Sequence, residues 1–285
     1  MYRRHFLQLL SALPPAYLFP QGLCPERVAD SALTGFKSLD NLTGGFIPGS
    51  INIIAGRPSM GKTAVAIALV DFMLVQQKGT VAVFSLESSR DHYLKRLLAH
   101  RTAVPLRDLT RGQLNETELK RVTRSTQEIT DASLFVDDRP GITPSEIRSK
   151  TLQLHKTTPL DLVVIDYFQL LQTAGETKLD AIESTWRKLH AIAKETSAAF
   201  VVLFQLDRYT ELRGDRHPRL DDLRRTLFNT ALPQTTADTV MFLYRDSYYD
   251  LNVDNSKAEI IVARSTSGVA GVVNIHWDFK TERLS

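Results

Sequence analysis

The chain has a single cysteine, Cys24, among 285 residues. One thiol excludes an intramolecular disulfide framework and fits a reducing compartment. The seven histidines lie far apart and share no zinc-like spacing, so a metal site built from His and Cys is not expected. Also missing are internal repeats, low-complexity tracts and an apolar run long enough to span a bilayer. Charge of one sign is scarce too. With 35 basic against 32 acidic residues the formal net charge is +3, so a polyanion site must be local rather than spread over the surface. What is present is 43% hydrophobic residues, enough to bury a substantial core as one large domain, or one domain with an appendage.

Residues 1–31 differ from the rest. Arg3-Arg4-His5-Phe6-Leu7 followed by apolar residues superficially matches a twin-arginine export signal. Pro14-Pro15 interrupts that run and no small-residue cleavage site follows, so the expectation is a cytoplasmic protein. The segment reads instead as a short helix near Tyr2 to Leu13 on a proline-containing linker. Such a helix cannot bury its apolar face alone, which makes a neighbouring subunit a natural partner.

The strongest local signal is Gly56-Arg57-Pro58-Ser59-Met60-Gly61-Lys62-Thr63. An apolar run from Ile51 precedes it and a segment of helical length, Ala64 to Val75, follows. This is the strand, loop and helix of a phosphate-binding P-loop, against the alternative of a glycine-rich surface turn. Its backbone N–H groups and the positive end of the helix would form a concavity suited to a polyphosphate. Lys62 would neutralise the β- and γ-phosphates, and the Thr63 hydroxyl would ligate Mg²⁺.

From Leu33 onward, apolar runs alternate with helical patterns, which predicts an α/β fold with a mostly parallel sheet covered by helices. Strands are expected at Ile51–Ala55, Val81–Leu86, Leu134–Val136, Leu162–Asp166, Phe200–Phe204, Thr239–Leu243, Ala258–Ala263 and Val272–Trp277. Asn115-Glu116-Thr117-Glu118 and Thr143-Pro144-Ser145-Glu146 each open a helix with a capping residue, and Ala181 to Thr196 reads as another helix.

Three strand ends carry candidate chemistry. Asp166 closes an apolar strand, where the acidic partner of a P-loop can hold Mg²⁺ through its waters. Glu87 follows the strand Val83-Phe84-Ser85-Leu86; it could polarise the water attacking a γ-phosphate, or serve as a salt-bridged structural residue. Gln205 could hydrogen-bond a γ-phosphate while it is present and lose the bond on hydrolysis. Between Asp207 and Arg225 the chain is rich in arginine, with Asp215, Asp221 and Asp222 interleaved. That pattern fits either a solvated loop or one that binds a nucleic-acid backbone without reading bases.

Taken together, Thr34 through Thr63, Phe84-Ser85-Leu86-Glu87, Val164-Ile165-Asp166-Tyr167-Phe168-Gln169-Leu170, Gln205-Leu206-Asp207-Arg208, Asp222-Leu223-Arg224 and Val240-Met241-Phe242-Leu243-Tyr244-Arg245-Asp246 form one ordered set. The set resembles the RecA-like C-terminal domain of DnaB-type replicative DNA helicases over roughly residues 32–280. The resemblance implies a RecA-like ATPase acting with ATP and Mg²⁺ in a ring-shaped hexamer, with nucleotide at the subunit interfaces and single-stranded DNA in the channel. It implies a nucleotide-binding role for Lys62 and Thr63, catalytic base for Glu87, magnesium-associated carboxylate for Asp166 and γ-phosphate sensor for Gln205. Lys178, where the family tends to have a loop arginine, and Arg224 would lie near the DNA backbone. A replication loader or primase is an implied partner.

The chain departs from that pattern in three places. The family's large N-terminal helical domain has as its counterpart here only residues 1–31, which could still dock on an adjacent subunit. The run whose lysine and arginine reach a neighbour's ATP is here Arg264-Ser265-Thr266-Ser267-Gly268, with Thr266 at the arginine-finger position. Strand alternation puts 264 and 266 on one face, so Arg264 could supply the cation from two positions away. The stretch after Arg224 is longer and more apolar, Arg225 to Gln234. These departures keep two further readings open: a helicase-like ATP-binding assembly factor that unwinds little, and another RecA-like ATPase of repair or recombination.

Overall fold

The computed structural model describes residues 32–175 and 177–285; the helix and linker expected within residues 1–31 lie outside the described residues. Among the described residues nine strands form one sheet: β1 (Ile51–Gly56), β2 (Val81–Ser85), β3 (Leu134–Asp137), β4 (Leu162–Asp166), β5 (Ala199–Gln205), β6 (Thr239–Tyr244), β7 (Lys257–Ser265), β8 (Gly271–Asp278) and β9 (Arg283–Leu284). Their order is β3-β2-β4-β5-β1-β6-β7-β8-β9. The first six positions in that order pair in parallel, and β7, β8 and β9 extend the sheet antiparallel.

The helices are α1 (Lys37–Thr43), α2 (Lys62–Val75), α3 (Arg90–Thr102), α4 (Leu106–Arg111), α5 (Glu116–Asp131), α6 (Pro144–Thr157), α7 (Lys178–Thr196), α8 (Leu220–Thr226) and α9 (Leu232–Thr236). Both expected capping boxes are present, at Asn115 with Glu118 and at Thr143 with Glu146. Each satisfies two otherwise orphaned N–H groups and fixes where its helix begins.

Strand alternation sorts the core into two layers. Ile54, Val81, Val83, Val164, Val201, Leu203 and Met241 face one side, with α2, α3 and α5 over them. Ile53, Phe84, Val163, Phe200, Phe204 and Phe242 face the other, under α6, α7 and α8. A strand buried on both faces reads as a continuous apolar run, which is why β1, β4 and β5 are legible in the sequence. Helix α2 is also apolar nearly all round and is buried along most of its length, as expected of a helix enclosed by the core.

Two expectations need correction here. Helix α7 starts at Lys178, three residues before the expected Ala181, because Thr177 caps it: its hydroxyl accepts a hydrogen bond from the Asp180 N–H at 3.1 Å. Lys178 therefore stands in the first turn of a helix rather than in a loop. Helix α3 has no counterpart among the helices read from the sequence; its apolar residues Tyr93, Leu94, Leu97 and Leu98 form one stripe on an otherwise polar run. No helix among the described residues is long and apolar enough to cross a membrane.

Candidate active site

Parallel register brings the candidate residues to one edge. Gly56 at the end of β1 pairs with Gln205 at the end of β5, and Ser85 of β2 pairs with Asp166 of β4. The ladder runs slightly further, with the Leu206 N–H donating to the Gly56 carbonyl and the Leu86 N–H to the Asp166 carbonyl. The loop after β1, Asp166, Gln205 and the turn carrying Glu87 thus converge at the carboxyl ends of adjacent strands, where ligands bind in open α/β sheets.

The loop itself is sharply turned. Ser59 and Gly61 both have positive φ, 61° and 100°, and Gly61 caps α2. A side chain at Gly61 would be strained by that backbone, and its Cβ would lie 2.5 Å from the Trp277 ring of β8. Only glycine fits both constraints. Lys62 is buried, and its ammonium donates to the Gly56 and Arg57 carbonyls at 3.1 and 3.0 Å, folding the side chain over the loop. Burial lowers its pKa to about 8, while the negative charges of Asp166 and Glu87 pull it back up and Arg57 pushes it further down.

Beneath the loop, the Thr63 hydroxyl donates to Asp166 Oδ2 at 2.7 Å. Asp166 is 2% exposed, and its other oxygen, Oδ1, is buried without a hydrogen-bond partner among the described residues. Burial raises the carboxyl above the usual range, against the pull of the Thr63 hydrogen bond. An unpartnered carboxylate oxygen beside a hydroxyl suits a hard divalent cation, which takes few protein ligands and completes its shell with water and phosphate oxygens. The residues present therefore fit Mg²⁺.

Glu87 is exposed, two residues beyond β2, in a turn closed by the Ser85 hydroxyl donating to the Ser88 carbonyl at 2.7 Å. Its charge is felt at both Lys62 and Asp166. Among the described residues it forms no ion pair. Gln205 is held through its backbone: the Gln169 amide donates to the Gln205 carbonyl at 2.9 Å, and the Gln169 side-chain oxygen accepts from the Gln205 N–H at 3.2 Å.

Other candidates stand differently. The Arg57 side chain does not face the loop's concavity as a free cation; it donates to Glu211 and to the Leu206 carbonyl, each at 2.8 Å, which leaves its backbone as its contribution to the loop. Arg264 is also engaged, donating to the Gln234 carbonyl of α9 at 3.0 Å, while Thr266 lies just past the end of β7 and is exposed. Lys178 lies over the Phe228 ring, 5.1 Å from its centroid. Arg224 is exposed on α8, its nearest carboxylate being Asp221 at 3.9 Å. Much of the arginine-rich stretch is internally paired: Arg213 makes a two-pronged contact with Asp222, and Arg219 binds Asp215 at 2.6 Å.

Arg245 has no role assigned by the sequence motifs, yet it braces the loop. Its guanidinium donates to the Ser59 carbonyl at 3.0 Å and lies over the Trp277 and Phe279 rings at 4.8 and 4.1 Å. Three elements far apart in sequence make this contact, so no spacing pattern could reveal it.

The DnaB-like helicase C-terminal domain model matches residues 32–285. The replicative DNA helicase DnaC of Bacillus subtilis (strain 168) is 35% identical over 246 residues, 85% of this chain and 53% of that protein. The replicative DNA helicase DnaB of Geobacillus stearothermophilus is 34% identical with the same coverage. A solved ATPase domain superposes with a TM-score of 0.83 at 29% identity, covering 91% of this chain and 92% of its own. A DnaB-like replicative helicase whose structure describes its interactions with primase superposes equally well at 30% identity, over 89% of this chain and 61% of its own. The chain spans about half the length of the curated relatives it matches. On the family match and these relatives together, the chain belongs to the DnaB-like helicase C-terminal domain family.

Proposed function

We propose that this domain is the motor of a replicative DNA helicase, hydrolysing ATP at the interfaces of a homo-oligomeric, hexameric ring to move on single-stranded DNA. The observation that carries the reading is the Thr63–Asp166 hydrogen bond with Asp166 Oδ1 left open, directly under the loop that Lys62 spans. Thr63 and Asp166 would hold Mg²⁺, which when bound neutralises charge on the β- and γ-phosphate oxygens. The backbone from Gly56 to Gly61 cradles the phosphates. Lys62 exchanges its two carbonyl partners for phosphate oxygens. Glu87 takes a proton from the attacking water as the bond from the γ-phosphorus to the bridging oxygen breaks, releasing ADP and phosphate. Gln205 hydrogen-bonds the γ-phosphate before cleavage and loses that partner afterwards. By analogy with the relative described with primase, a primase or a loader is the expected protein partner.

The test is ATP turnover of the purified protein with and without single-stranded DNA. Stimulation by DNA is expected; absence of both DNA binding and stimulation rules the reading out.

A second reading, a nucleotide-binding assembly factor that hydrolyses slowly, is favoured by one observation: Arg264 is spent on Gln234 and Thr266 carries no charge. An arginine reaching a neighbour's nucleotide can be worth on the order of 10³ in turnover. If Arg264 supplies that contact, Arg264→Ala lowers DNA-stimulated turnover at least about tenfold with nucleotide affinity unchanged. An unaffected Arg264→Ala together with a Thr266→Arg variant faster than the parent would favour the assembly-factor reading.

A further inference from the structure

A cleft of about 450 Å³ opens between the segment after β4, the start of α7 and the end of α8. Its apolar wall includes Phe168, Leu171, Ala181 and Phe228, and Lys178 stands at its mouth. The volume lies within the roughly 300–1,000 Å³ range of small-molecule sites.

Phe228 is the unusual member. It is 52% exposed, an aromatic ring left in solvent at the end of α8. Its φ is +54° and that of Asn229 is +65°, a costly pair for residues other than glycine. The turn is nonetheless fully bonded. The Phe228 N–H donates to the Arg225 carbonyl at 3.1 Å and the Asn229 N–H to the Arg224 carbonyl at 2.9 Å. Thr230 ties the turn to α7 by donating to Glu183 at 2.8 Å. The backbone therefore holds the ring out at the rim of the cleft rather than letting it collapse inward.

One cation meets this ring and two more precede it in the chain. Lys178 lies over one face, 5.1 Å from the centroid, and Arg224 and Arg225 are exposed in the last turn of α8, just before Phe228. The nearby carboxylates are already engaged: Glu183 by Arg187 at 3.0 Å, and Asp221 by Arg224. An aromatic face beside an apolar recess, with a positive rim, matches one ligand chemistry: a stacked base on a phosphate backbone. We infer that this cleft takes an unstacked nucleobase of single-stranded DNA against Phe228, with Lys178 and Arg225 on the flanking phosphates. The inference rests on the proposed DNA motor and adds base stacking to the backbone contacts expected of Lys178 and Arg224. The same cleft is lined by Gln169, which grips the backbone of Gln205, so a base entering it touches the residue that positions the γ-phosphate sensor.

The experiment is fluorescence anisotropy of the full chain with a non-hydrolysable ATP analogue, comparing a labelled thymidine homopolymer with an abasic strand of equal length. The parent is expected to prefer the base-bearing strand by on the order of tenfold. Phe228→Ala should erase that preference while leaving abasic binding unchanged, and Phe228→Trp should keep it. Equal binding of both strands by the parent, or an undiminished preference in Phe228→Ala, overturns the inference while leaving the DNA motor standing. Binding of neither strand overturns both. If Phe228→Ala changes self-association on sizing but not the strand preference, the cleft seats a neighbouring subunit, and the inference falls.

Discussion

Replacing Lys62 by alanine is expected to lower ATP turnover by on the order of 10² to 10³ without unfolding the protein. The loss follows from where charge develops. In the proposed reaction the transferring γ-phosphoryl oxygens carry negative charge at the mouth of the loop, and Lys62 is the buried cation folded over that loop. With a pKa of about 8 the ammonium is still protonated at neutral pH. Alanine removes the charge and leaves the Gly56 and Arg57 carbonyls to water. Folding should not suffer, because a buried charge carries a desolvation cost that the mutation relieves. Lys62→Arg should fare no better than alanine, since a planar guanidinium does not fit where a compact ammonium bridges two carbonyls. Phosphate release and thermal melting, measured side by side, check this. A Lys62→Ala variant within tenfold of the parent would remove the loop from the chemistry.

Trp186→Ala should cost about 3–5 kcal/mol of unfolding free energy, read from urea denaturation. Trp186 is 1% exposed on α7, packed 6.3 Å from Phe168 and 6.0 Å from Phe204, which stack on each other at 4.7 Å. Its indole N–H donates to the Thr236 hydroxyl at 2.8 Å. Alanine opens a cavity that the sheet cannot close, since Phe204 lies in a central strand. Phe204 immediately precedes Gln205, and Phe168 lies in the segment that leads from Asp166 to the cleft, so the cavity sits beneath both sites. Trp186→Phe should recover most of the loss, because the ring is kept and one hydrogen bond is given up. A cost below about 1 kcal/mol for alanine would mean that the three rings are not packed as one unit.

Strand content was legible because β1, β4 and β5 are buried on both faces and leave continuous apolar runs. The candidate active site was legible for a related reason. Parallel strands end together, so residues placed just after apolar runs, such as Asp166 and Gln205, must meet at one edge. What stayed hidden depends on long-range contact. Arg57 reads only as one residue of the loop, but Glu211 and the Leu206 carbonyl claim its guanidinium. Arg245 reads as part of a motif, but its guanidinium, lying over the rings of Trp277 in β8 and Phe279 just after it, holds the Ser59 carbonyl. Lys178 is matched by resemblance to a loop arginine, but Thr177 caps a helix that begins at Lys178 itself. The arginine-rich stretch was ambiguous in sequence, and local pairing decides much of it, as where Arg219 meets Asp215 in the loop before α8.

The two hydrogen bonds between the Gln169 side chain and the Gln205 backbone have a thermodynamic consequence. If a base in the cleft and a γ-phosphate at the loop each favour one arrangement of that pair, they share a coupling free energy, and the coupling is reciprocal. Whatever factor ATP contributes to the grip on DNA, DNA must return to the grip on ATP. A typical coupling of about 1–3 kcal/mol corresponds to roughly 5- to 150-fold in each affinity. Cleavage of the γ-phosphate would then loosen the strand by that same factor, so in the proposed motor one amide side chain would set how firmly DNA is held before and after hydrolysis.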